Sequence, residues 1–213
     1  MPHEIEKLLQ GYRAFREQYF SGKDPLFTGL VRNGQSPKIL VIACSDSRVD
    51  PAIITNSQPG DLFVVRNVAN LVPPYEQDNS THHGTSAALE FAIRSLGVRH
   101  VIVFGHSQCG GVQALMSDAG NVSDQNSFIG KWMQLAQPAR QWVVDHHAAA
   151  TTEQQVELCC QQSLIHSLQN LRTFPWIKEK IAESNLFLHA WYFNLAAGEV
   201  SAFNETQQTF LPL

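Results

Sequence analysis

Two short runs of apolar, largely β-branched residues, Ile39 to Ala43 and Val101 to Phe104, lead directly into fragments dense in chemistry. The first leads into Cys44-Ser45-Asp46-Ser47-Arg48. The second leads into Gly105-His106-Ser107-Gln108-Cys109-Gly110-Gly111. Continuous apolar runs of this length are the pattern of strands buried on both faces, as in a parallel sheet. The chain is thereby directed to an α/β fold. Its reactive side chains would gather past the carboxyl ends of two core strands, where open α/β sheets place their ligands.

The rest of the chain fits that plan. An amphipathic helix is expected over residues 3–20, with Ile5, Leu8, Leu9, Tyr12, Phe15 and Tyr19 on one face. That face serves either its own domain or a partner subunit. After the strand at 39–43 come a short helix from Val49 to Ile54, a second strand from Leu62 to Val65 and a polar loop to about His83. A helix from Gly84 to Leu96 follows, closed by Gly97, then the strand at 101–104 and a short helix around Val112 to Met116. Residues 117–127 read as loop. Helices are expected over Phe128 to Val144, interrupted at Pro138, over Glu153 to Asn170, and over Trp176 to Glu183. Phe187 to Asn194 and Val200 to Phe203 form an antiparallel tail.

Composition excludes more than it identifies. With 213 residues, 44% hydrophobic and 16% charged, the chain can bury a sizeable core, and no linker divides it. One domain is therefore expected over 1–213: a helical arm at 1–30, a core at 35–115, and a helical and strand region at 116–213. A formal net charge of -4 offers no attraction to nucleic acid or an anionic membrane. Cys159 and Cys160 are adjacent and do not suggest a disulfide framework. With no leader-like or membrane-spanning stretch, a cytoplasmic protein is expected.

Two thiols and one imidazole at neighbouring strand ends make a set suited to zinc, with a fourth position left open. Cys44 would supply one ligand, and the His106-x-x-Cys109 spacing lets one loop supply the other two. Asp46 stands two residues from Cys44, and Arg48 two further on can grip its carboxylate through a two-pronged, charge-assisted bond. Held so, Asp46 stays off the metal and accepts a hydrogen bond from metal-held water. Released, it would become the fourth ligand of a closed, inactive site. Cys159 and Cys160 are assigned to helix packing. His82, His83, His146 and His147 are read as solvated, with a minor proton-relay role left open for the first two.

These fragments resemble the β-class carbonic anhydrases. Cys-x-Asp-x-Arg at 44–48 and His-x-x-Cys at 106–109 are that family's two signatures, and Phe63-Val64-Val65-Arg66-Asn67-Val68-Ala69-Asn70 between them also matches. The likeness is strong from Gln35 to Leu115 and looser beyond. It implies one Zn²⁺ per chain on Cys44, His106 and Cys109, with Asp46 and Arg48 as the catalytic dyad. It also implies reversible hydration of carbon dioxide to bicarbonate and a proton. The implied fold is a mainly parallel sheet with an antiparallel strand near the C-terminus and flanking helices. The N-terminal helices would pack on a partner subunit in a dimer or a higher assembly of dimers.

In the plant-like subtype a Gln nine residues before the first zinc Cys binds substrate, and here that is Gln35. Phe63, Val68 and Phe91 occupy its apolar pocket wall, Phe91 standing where some members have Tyr, and Gly110 gives a backbone position in the pocket. The bicarbonate-inhibited subtype carries a Trp where this chain has Val41, so the open form is expected despite Arg66. The alternatives are hydrolysis of COS or CS₂ at the same zinc set, a catalytically silent zinc scaffold or sensor, and a structural zinc site in an unrelated α/β fold.

Overall fold

Strand β1 (Ile39–Cys44) organises the molecule. In the computed structural model, which describes residues 2–22, 25–77, 82–117, 122, 124 and 126–213, β1 pairs in parallel with β2 (Leu62–Asn67) on one side and β3 (His100–His106) on the other. The chain thus leaves β1 in one direction and returns past it in the other. The crevice at the carboxyl ends of β1 and β3 is a topological switch point, the position where doubly wound sheets bind ligands. Cys44 and His106 are the last residues of those two strands.

The sheet has six strands in the order β2-β1-β3-β4-β5-β6. β4 (Phe187–Asn194) is parallel to β3, and β5 (Glu199–Asn204) and β6 (Thr209–Pro212) complete it antiparallel. The tail is therefore only partly as expected. Phe187 to Asn194 joins the parallel core, and β6 was not anticipated, since Thr209 to Pro212 is too short and mixed to show a period.

One face of the sheet is covered by the chain's own helices. Leu40, Ile42, Val101 and Val103 are fully buried there, each contributing roughly 1.5–3 kcal/mol of apolar transfer. The main cover is α8 (Thr152–Leu171), lying along β3 and β4, with α5 (Gly110–Met116) and α7 (Gln137–His146) packed against it. Thr151 starts α8 with a reciprocal cap. Its hydroxyl accepts from the Gln154 N–H at 3.3 Å, and the Gln154 side chain accepts from the Thr151 N–H at 3.0 Å. On the other face Val41, Ala43, Ile102 and Phe104 form a smaller cluster bordered by half-buried Ile39, Leu62 and Trp191. Among the described helices only α3 (Pro51–Ile54) contributes to it, through Ile54.

The remaining helices are α1 (His3–Phe20), α2 (Leu26–Asn33), α4 (Gly84–Glu90), α6 (Phe128–Met133) and α9 (Pro175–Ala182). The helix expected at 84–96 is one continuous coil, but residues Phe91–Ser95 widen into a π turn before Gly97 closes it at φ 67°. Pro138 does not interrupt a helix. It sits in the first turn of α7, where its missing N–H costs nothing. The expected loop at 117–127 falls largely outside the described residues. Among those described, no helix is long and apolar enough to cross a membrane.

Candidate metal centre

Cys44, His106 and Cys109 converge. Their ligand atoms all lie within 4.8 Å of one another, all three residues are buried, and they form the sole cluster of this kind among the described residues. The two sulfurs are 4.0 Å apart. Two thiolates on a tetrahedral zinc at about 2.3 Å each would be roughly 3.8 Å apart, so the spacing fits zinc with a small adjustment.

The imidazole is presented for ligation. His106 Nδ1 lies 2.8 Å from the Ser107 carbonyl, which can only accept, so the proton resides on Nδ1. That leaves Nε2 with its lone pair, buried and without a hydrogen-bond partner. An orphaned nitrogen in the core, aimed at two sulfurs, is costly unless something electrophilic completes it. Ser107 is itself fixed by a bond to the Phe193 carbonyl and by the Leu195 N–H donating to its hydroxyl. Gln108, between the two ligands, takes the left-handed conformation (φ 56°), and this reversal turns His106 and Cys109 to one side.

The Cys44 thiol is pulled well below its ordinary value. The Cys109 thiol beside its sulfur does most of this, and the N–H groups of Asp46 and Ala69 add to the effect against the opposing cost of burial. The Cys109 thiol, facing that sulfur and buried, is pushed up correspondingly. This is a site made to carry thiolate. Cys160, on α8, is also engaged. Burial raises its thiol strongly, while the Cys109 backbone N–H faces its sulfur. Helix packing alone therefore understates its place behind the site. Cys159 is pushed up to about 12 by burial and fits the packing role.

Asp46 and Arg48 are locked together. Arg48 Nε donates to Oδ1 at 2.9 Å and a terminal nitrogen to Oδ2 at 2.7 Å, and the Arg48 N–H adds a third bond to Oδ1. The guanidinium holds the Asp46 carboxyl well below the usual carboxylate range. The same terminal nitrogen donates to the Gln108 carbonyl at 3.1 Å, tying the two signature loops together. Asp46 Oδ2 is 4.0 Å from His106 Nε2, at the rim of the metal position.

Sequence reasoning missed what Arg66 does. Its guanidinium donates to the carbonyls of Cys44 (2.9 Å), Asp46 (2.7 Å) and Val49 (3.1 Å) and pairs with Asp50. Asp50 in turn caps α3. The loop bearing Cys44, Asp46 and Arg48 is thus stapled to β2 along its backbone. The next turn, Val68–Asn70, carries strain, with Ala69 and Asn70 both left-handed at φ 62° and 49°. Such residues cost on the order of 1–3 kcal/mol each unless their surroundings hold them. Asn67 bridges the turn with paired bonds to Leu71, both 2.9 Å.

Of the apolar wall residues, Val68 lies beside the site on the turn after β2, whereas Phe63 pairs with Leu40, four residues or about 13 Å of strand short of the site's end of β2. Phe63 and Phe91 are in ring contact at 6.0 Å, and Val68 packs where a Cβ on Gly111 would fall, 3.0 Å from Val68 Cγ1. Val68 and Phe91 remain well exposed. Gly110 opens α5 with free space around it. Gln35 lies farther off. It precedes the amino end of β1, whereas the site lies past its carboxyl end, six residues or about 20 Å of strand away. His82 is exposed and His83, half-buried, sits 3.9 Å from Glu76, while His146 stacks on Trp142.

Comparison with known proteins accords with this geometry. Residues 39–200 match the family model described as carbonic anhydrase. A carbonic anhydrase of Synechocystis is 36% identical over 207 residues, 97% of this chain and 74% of that protein. Beta carbonic anhydrase 5 of Arabidopsis thaliana, a chloroplastic protein, is 40% identical over 89% of this chain and 62% of its own length. The solved structure of the β-carbonic anhydrase CcaA superposes with a TM-score of 0.90 at 34% identity, covering 100% of this chain and 93% of that one. A β-carbonic anhydrase from Sordaria macrospora, described as tetrameric, gives 0.82 at 30% identity, covering 95% and 98%. The chain belongs to the β-carbonic anhydrases, zinc enzymes of reversible carbon dioxide hydration.

Proposed function

We propose that carbon dioxide hydration in this chain runs through zinc held by Cys44, His106 and Cys109, with Asp46 and Arg48 as the catalytic dyad. The observation that carries this assignment is the buried, unpartnered His106 Nε2 facing two sulfurs 4.0 Å apart. Zinc bound there supplies Lewis acidity, bringing a water molecule's pKa toward neutrality. The protein's part is positional. Asp46, kept ionised by Arg48, can accept but not donate, so at Oδ2 it holds a water proton in a fixed direction beside His106. Val68 offers a linear, apolar substrate an apolar surface beside the site, Gly110 leaves free space at its position, and Phe63 with Phe91 supplies further apolar surface.

The open form is the state these contacts support. A carboxylate bound twice by one guanidinium is held away from the metal position, and Arg66 is spent on backbone carbonyls rather than offered to bicarbonate. Self-association, as a dimer or an assembly of dimers, fits two further features. The apolar face of α1 is uncovered within its own chain, and Gln35 can reach a substrate only in another copy's site. Four free cysteines fit a reducing compartment such as the cytoplasm.

Stopped-flow hydration with zinc quantified per chain tests the assignment on wild type, metal-stripped protein and Asp46→Asn. The expected result is about one zinc per chain, no fast hydration without it, and a loss of roughly 10²-fold or more in Asp46→Asn. Stoichiometric zinc with Asp46→Asn as fast as wild type would remove the dyad from the mechanism. Zinc without hydration would redirect the site to COS or CS₂, or to a non-catalytic role.

A further inference from the structure

Trp132 lies on α6, outside both signatures, yet its indole N–H donates to the Val68 carbonyl at 2.7 Å. That carbonyl belongs to the peptide unit joining Val68 to Ala69, and the N–H of the same unit faces the Cys44 sulfur. In a trans peptide the C=O and N–H point in opposite directions, and the structure contains no cis bonds among its described residues. One peptide plane therefore stands between an indole and a thiol, donating at one end and accepting at the other.

The peptide needs holding. Ala69 follows it in the left-handed region (φ 62°, ψ 23°), a conformation an alanine does not adopt by preference, and it is buried. Rotation of this peptide would turn a carbonyl oxygen toward the sulfur, placing two electron-rich atoms face to face. Against that rotation stand the Asn67 bridge, the close approach of Gly111 to Val68 and Ala69, and the Trp132 bond. Only the last acts on the peptide directly. Hydrogen bonds in series also polarise one another, so the indole strengthens the N–H that the sulfur receives.

We propose that Trp132 is a positioning residue for the metal centre, acting through the Val68–Ala69 peptide to keep an N–H on the Cys44 thiolate while fixing Val68 in the substrate wall. The proposal rests on the assignment of Cys44 as a metal ligand. Groups one step removed from a metal tune it through its ligands, and their loss typically costs 10–100-fold in metal affinity or activity.

The test uses the full-length protein loaded with cobalt(II), comparing wild type with Trp132→Phe, which keeps an aromatic ring and loses the donor. Losing an N–H bond raises the energy of the sulfur electrons, so the thiolate-to-cobalt charge-transfer band shifts to longer wavelength. Release of zinc to a chelator speeds up about 10-fold, and kcat/KM falls by a similar factor. A band, release rate and kcat/KM all equal to wild type would overturn the proposal. So would a fall in kcat/KM with the band unmoved, since that is what lost packing alone produces. Should Trp132→Phe fail to fold, the benzothiophene isostere of Trp132, which keeps the shape and lacks only the N–H, gives the same readouts. Cys44→Ser run alongside tests the underlying assignment. If it leaves the band intact, Cys44 is not a ligand. If it weakens the band, leaving the contribution of Cys109, while Trp132→Phe does not shift it, only the relay fails.

Discussion

Helices α8 and α1 are similar in length, 20 and 18 residues, and both show an apolar stripe, but they end in opposite situations. α8 buries Val156, Cys159, Cys160, Leu164, Leu168 and Leu171, along with two serines, beneath the sheet and behind the metal centre. α1 buries nothing. Leu8, Tyr12 and Phe20 are each more than half exposed, and its last turn meets α2 through ring contacts among Phe15, Tyr19, Phe20 and Phe27. Amphipathic periodicity says that a face requires cover, not which molecule supplies it. α8 is covered by its own sheet, and the apolar face of α1 stays exposed on this chain.

The largest effect expected from this contrast is at Leu164. It is fully buried and packs on Gly105, where even one added carbon would lie 3.0 Å from its methyls. Leu164→Ala should lower unfolding stability by about 3 kcal/mol, within the usual 2–5 range for a buried leucine, read as a lower urea midpoint. Leu8→Ala in dilute protein should barely move it. A Leu164→Ala cost under about 1 kcal/mol would show that α8 is not the keystone described here.

The second test inverts the contrast. Leu8→Lys combined with Tyr12→Glu places charge on the exposed face of α1. The expected outcome in sedimentation is a shift to smaller species at unchanged protein concentration, with helix content by circular dichroism preserved. An unchanged sedimentation coefficient would mean that α1 carries no contact between copies, and the reading of its bare face would fall. A smaller effect belongs to the start of α8. Thr151→Ala removes the hydroxyl that accepts from the Gln154 N–H and should cost about 1 kcal/mol. α1 begins at Pro2 with no side-chain cap to lose.

The same contrast explains what was legible in the sequence. Cys44, Asp46, Arg48, His106 and Cys109 stand in two contiguous fragments after two unmistakable strands, so composition and spacing carried them. The contacts that make those residues work run through backbone atoms, which have no letter in a sequence. Arg66 holds the carbonyls of Cys44, Asp46 and Val49, Arg48 reaches the Gln108 carbonyl, and Trp132 reaches that of Val68 across 64 residues. The left-handed turns at Ala69 and Gln108 were equally hidden, because neither residue type announces a positive φ as glycine does. Gln35 shows the opposite case. Its spacing from Cys44 is plain in the sequence, but a parallel strand carries the two to opposite ends of the sheet.

The smallest predicted effect is a pH dependence, and it belongs to α8 because a titrating group must be buried to be felt. His166 is half-buried on that helix, and loss of solvation holds its pKa below the ordinary 6.5, partly offset by Gln169. The unfolded chain therefore takes a proton near pH 6.5 that the folded chain still refuses. The contribution of His166 to stability is complete above that value and is lost as pH falls through the lower, folded pKa. His189, beside His100 at 3.2 Å, is lowered by burial and by that neighbour and acts with the same sign. Urea midpoints at pH 7.5 and 5.5 should thus show wild type losing stability on acidification, and His166→Gln losing less of it without becoming flat, since His189 remains. If His166→Gln loses as much as wild type, the α8 histidine meets enough solvent to titrate normally, and burial along α8 does not extend to that side of the helix.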